Sequence, residues 1–177
     1  MVYGNVDEVE LVLNGKTIRR QTADKGPDSD YIPVPNGGNG KNLHFPPFTF
    51  YGVPKERGVL EAVGYHQGKK VAEYTVKTPG VPERLDITYF ESGKPATKND
   101  LLIVYVRMLD KQGVLCPVNG IPVELSVQGG EIVGPTSYPL EAGVASFLVR
   151  TGEISKININ ATGKGFSTRK SLKVGKE

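Results

Sequence analysis

The chain has 177 residues, 22 glycines, 13 prolines, a single cysteine and a formal net charge of +3. That length holds one domain or two small ones and falls short of the roughly 250 residues of a (β/α)8 barrel. One cysteine excludes an intrachain disulfide, the absence of a basic run argues against nucleic-acid binding, and no stretch resembles the about 20 apolar residues of a membrane-inserting helix.

Met1-Val2-Tyr3 leads directly into polar residues, unlike a signal peptide. The chain therefore reads as a mature cytosolic start or, the favoured expectation, a piece of something longer. Residues 5–16, NVDEVELVLNGK, alternate Val9, Leu11 and Leu13 with Glu8, Glu10 and Val12. Asn14-Gly15 follows, a strong hairpin signal, because both central residues of a type I′ turn need φ > 0. Residues 16–20 are the expected return strand. Residues 21–42 carry Gly26-Pro27, Pro33, Pro35 and a glycine-rich run, and read as a long loop. Residues 43–53, LHFPPFTFYGV, are dense in aromatics and interrupted by Pro46-Pro47. Such a stretch suits an edge strand or a bulge.

Residues 58–76, GVLEAVGYHQGKKVAEYTV, read as two strands joined at Gln67-Gly68. Thr78-Pro79-Gly80-Val81-Pro82 is the expected boundary, since two prolines and a glycine stop strand pairing. It separates a first domain at 1–78, a linker at 79–82 and a second domain at 83–177. After it come Leu85, Ile87 and Tyr89 in alternation, then the apolar run Leu101–Leu109 as a central strand, then a turn at Asp110-Lys111-Gln112-Gly113. Further strands are expected at residues 121–127, 131–133, 143–150, 156–161 and 168–174. About seven strands at this spacing predict an immunoglobulin-like sandwich. The fold class is all-β, two tandem immunoglobulin-like β-sandwich domains.

Chemistry is sparse. Asp7, Glu8, Glu10, Asp28 and Asp30 fall at alternating or loop positions and read as surface charge. His44, His66 and Cys116 show no metal-ligand spacing, so neither a metal nor a cofactor is expected. A calcium site on Asp24, Asp28 and Asp30 is conceivable, but the spacing is not that of an EF-hand and a plain acidic loop is favoured. No nucleophile elbow, phosphate loop or dinucleotide fingerprint is present. The candidate carbohydrate-binding residues are Tyr31, Phe48 and Tyr51, as a ring platform for sugars; the competing reading places such alternating aromatics in a core.

The segments NVDEVELVLNGK and GVLEAVGYHQGKKVA resemble the small β-sandwich that follows the catalytic barrel in bacterial family 2 glycoside hydrolases, the β-galactosidase and β-glucuronidase-like enzymes. Arg57 stands where that pattern usually has proline, and Phe48 or Phe50 occupies the region where a tryptophan is common. The second half is similar to the invasin-type immunoglobulin-like domain that often ends such enzymes, through Asn99-Asp100-Leu101, Ile103–Val106, Asp110–Gly113, Val123–Val127 and Gly130–Gly134. The resemblance implies a parent that cleaves a β-glycosidic bond with two barrel carboxylates. It carries no catalytic residue onto this chain. It implies a structural or accessory role, the parent's own catalytic barrel as partner with carbohydrate as a second, and a periplasmic or extracellular location. The alternatives are a carbohydrate-binding module and a cell-surface adhesion or spacer protein.

Overall fold

The computed structural model describes residues 1–24, 46–90 and 95–175. Among them every regular element is a β-strand. The chain divides into two compact units, Met1–Thr78 and Pro79–Glu177.

The first unit is built on β1 (Glu8–Leu13), β2 (Lys16–Thr22), β3 (Val59–His66) and β4 (Lys69–Lys77). They form one antiparallel sheet in the order β2-β1-β3-β4. The alternation seen in the sequence sets its two faces. Val9, Leu11 and Leu13 are buried, and they pair with Gly64, Ala62 and Leu60 of β3. Both hairpins turn as their sequences dictate. Asn14 and Gly15 sit at φ 52° and 77°, Gln67 and Gly68 at 49° and 74°.

The described part of the aromatic stretch, residues 46–53, does not form a ladder strand. Its one bridge joins Phe48 to Val2, with hydrogen bonds of 2.8 and 2.9 Å exchanged between their backbones. The reason lies just upstream, because Pro46 and Pro47 have no N–H to donate. Asp24 fastens the same segment by accepting hydrogen bonds from the Thr49 N–H and hydroxyl. Residues 43–45 lie outside the described part.

The second unit is a sandwich of two antiparallel sheets. One has the order β5 (Pro82–Tyr89), β6 (Leu101–Asp110), β10 (Val144–Thr151), β8 (Gly130–Ile132). The other has the order β12 (Phe166–Lys173), β11 (Lys156–Gly163), β7 (Pro122–Gln128), β9 (Ser137–Pro139). Their inward residues meet in one core that includes Ile87, Val104, Val106, Met108, Val123, Phe147, Val149, Ile157 and Ile159. β6 is central, as its apolar run predicts, with β5 on one side and β10 on the other. Two differences from the sequence reading stand out. Pro82 opens β5 rather than ending a linker, which an edge strand tolerates at its first residue. The three-residue β9 was not anticipated.

Candidate functional site

The sheet of the first unit presents two chemically unlike faces. On the polar face, Glu8, Glu10, Arg20 and Tyr65 come together because the register sets Glu8 opposite Tyr65 and Glu10 opposite Arg20. The Arg20 guanidinium lies 3.7 Å from the centre of the Tyr65 ring and 2.7 Å from Glu8. The Tyr65 hydroxyl donates to Glu10 at 2.7 Å, and Thr17 donates to the other Glu10 oxygen at 2.7 Å. These two donors hold the Glu10 carboxyl below its ordinary pKa, Thr17 first, and the Glu10 carboxylate pushes the Tyr65 phenol up. Asp7 caps the β3–β4 turn. It accepts the Gln67 N–H at 2.7 Å, which is the main cause of its lowered pKa, and faces His66 Nδ1 at 3.1 Å. The charges on this face answer one another.

The opposite face is different. Leu60, Ala62, Tyr74 and Val76 line a groove of about 490 Å³ with Phe50 and the N-terminal residues Met1–Tyr3. Tyr74 is 72% exposed and Val76 52%. Ala62 pairs with Tyr74 and Leu60 with Val76, so the four side chains form one continuous apolar patch.

Two of the three candidate carbohydrate residues, Phe48 and Tyr51, lie among the described residues. Phe48 is fully buried at 0% exposure, so its ring is not offered to a ligand. Tyr51 is 39% exposed, and Tyr31 lies outside the described residues. Among the described residues no cluster of His, Cys, Asp and Glu could hold a metal ion. Asp24 is engaged by Thr49, whereas Asp28, Asp30 and His44 lie outside the described part. No described helix is long and apolar enough to cross a membrane.

In the second unit the buried polar centre is Asp110. It accepts N–H donors from Gly80 at 2.7 Å, Val114 at 2.8 Å and Gln112 at 2.9 Å. Cys116 lies close by, its Sγ 3.8 Å from the Gly80 carbonyl. Burial, aided by the Asp110 charge, pushes its thiol pKa up. A protonated buried thiol is a packing group and a poor nucleophile. The sequence marked 110–113 as a turn but gave no sign that Asp110 reaches back to Gly80.

Fold and surface together define an all-β region of two compact units, the first with one polar and one apolar sheet face. Residues 1–72 match a family model described as a domain of unknown function, DUF4982. A β-galactosidase of Rhizobium radiobacter is 30% identical over 112 residues, which are 62% of this chain and 81% of that relative. The β-galactosidase BoGH2A of Bacteroides ovatus is 32% identical over 133 residues, 74% of this chain and 13% of the relative. A β-galactosidase of Thermoanaerobacter pseudethanolicus is 29% identical over 163 residues, 85% of this chain and 20% of the relative. A solved β-glucuronidase of glycoside hydrolase family 2 shares the fold at a TM-score of 0.75 and 22% identity, over 98% of this chain and 18% of that one. The chain belongs to the family 2 glycoside hydrolases, as a C-terminal accessory region. It spans about a fifth or less of the length of the Bacteroides and Thermoanaerobacter relatives.

Proposed function

We propose that this chain is the accessory portion of an enzyme that hydrolyses β-glycosides, with β-galactosides the first substrates to test, and that it supports the catalytic barrel structurally. One observation carries the reading. Curated relatives that align with most of this chain are named β-galactosidases, and in two of them the alignment takes up 20% or less of their length. The cleavage would then fall to two carboxylates elsewhere in the parent polypeptide. The self-paired polar face and the partly exposed apolar face suit a part that is held against a neighbour.

The test is to read the coding sequence around this chain and assay its full-length product on nitrophenyl β-galactoside and β-glucuronide. A barrel with two catalytic glutamates and turnover of either glycoside supports the proposal. An array of similar β-sandwiches with no barrel would point instead to a surface spacer and would remove it.

A further inference from the structure

Soluble proteins rarely leave a contiguous apolar patch in water without a use for it. The patch on β3 and β4 contrasts with the reverse side of the same sheet, where Arg20, Tyr65, Glu8 and Glu10 satisfy one another. We propose that the groove lined by Leu60, Ala62, Tyr74 and Val76 is the surface on which this chain docks against the catalytic portion of its own enzyme. The inference rests on the proposed function above and names the contact it requires.

Three observations select this occupant. First, the Thermoanaerobacter and Bacteroides relatives are five or more times longer than the part they share with this chain, so in them the matching region has a tethered neighbour. Second, Met1, Val2 and Tyr3 themselves line the groove, which places the attachment of any preceding polypeptide at its rim. Third, ten described residues line the groove, fewer than the roughly 20–30 residues a side of a freestanding stable interface. A tethered partner faces it at an effective concentration in the millimolar range, where a small contact suffices. The exposed residues are of the kind that contact cores favour, a tyrosine and a methionine among aliphatics.

The experiment compares two cysteine substitutions in the full-length enzyme, Val76→Cys in the groove and Thr75→Cys on the opposite face. Both sites are exposed in this chain, and the unsubstituted enzyme supplies the background from buried Cys116. Labelling with a water-soluble maleimide reads thiol access directly. The expected result is labelling at position 76 about ten-fold slower than at position 75, with glycosidase activity retained, since local burial gates access. Equal rates at the two positions in an active enzyme would overturn the docking surface and leave the proposed function standing. Protection at position 76 that vanishes on dilution would assign the groove to a second copy, and would equally overturn it. A full-length product without β-glycosidase activity would remove the underlying reading, whatever the labels show.

Discussion

Asp110 accepts the backbone N–H of Gly80 at 2.7 Å across 30 residues of sequence. The same carboxylate accepts the N–H groups of Gln112 and Val114, so one buried side chain ties the entry of the second unit to the end of β6. At 4% exposure it has little contact with water. Its donors, Gly80 first, hold its pKa below the ordinary 3.8. The folded state therefore binds this proton less readily than the unfolded state. The stabilisation is complete above the ordinary value and is lost as the pH falls through the folded pKa. Asp110→Asn sets an NH2 group against at least one N–H donor. Its melting midpoint at neutral pH should fall by on the order of 5 °C, and the gap to wild type should narrow in acid. Thermal melts of both proteins between neutral and strongly acidic pH check this. A constant gap would refute it.

Asn14 and Gly58 form a second long-range lock. The Asn14 side chain accepts the Val59 N–H at 2.9 Å and donates to the Arg57 carbonyl at 3.1 Å. Gly58 sits beneath it at φ 144°, and a Cβ there would lie 1.7 Å from Asn14 Oδ1. Gly58→Ala should cost about 2 kcal/mol, from the strained φ and from displacing Asn14. Asn14→Gly keeps the left-handed turn and removes the obstructing side chain. A double-mutant cycle by urea denaturation should therefore show the pair costing about 1 kcal/mol less than the sum of the singles. Additive costs would mean that the two positions do not meet.

These two locks show where the sequence is informative and where it is silent. Asn14-Gly15 and Gln67-Gly68 were legible because a left-handed backbone limits the residues that fit. The strands were legible because burial alternates with period two. What Asp110 and Gly58 touch was not, since turn chemistry describes neighbours in sequence and these partners lie 30 and 44 positions away. The Phe48 region misled for the opposite reason. Its aromatics alternate like a strand, but Pro46-Pro47 withhold the donors that a ladder needs. Ala72, Tyr74 and Val76 share one face by alternation, yet alternation cannot say whether anything covers that face.

Tyr65 should be hard to ionise. Its hydroxyl donates to Glu10, and losing the proton would set two negative charges 2.7 Å apart. The raised phenol pKa means that its contribution to stability is complete below the ordinary value of 10.0 and is lost as the pH climbs through the folded one. In an ultraviolet titration, Tyr65→Phe should remove a component that titrates above the ordinary range. Glu10→Gln should shift that component down. A late component unchanged by both substitutions would place it on another tyrosine.

Ile159 fills the centre of the second unit with no exposed surface, on the strand between β12 and β7. Ile159→Ala should destabilise that unit by about 3 kcal/mol, the usual cost of truncating a fully buried aliphatic. Ile103→Ala, on the outward side of β6 at 42% exposure, should cost under about 1 kcal/mol. Urea midpoints compared at fixed slope would check both, and similar losses at the two sites would contradict the face assignment.

The Asn14–Gly58 contact also bears on how chains of this kind can diverge. Position 58 is not free to drift alone. A side chain at 58 is tolerable only after residue 14 has withdrawn its own. Once it has, the Val59 N–H and the Arg57 carbonyl need new partners. The two sites therefore amount to one inherited character spelled at two places. In a family tree, a branch that abandons the glycine should already have lost the asparagine.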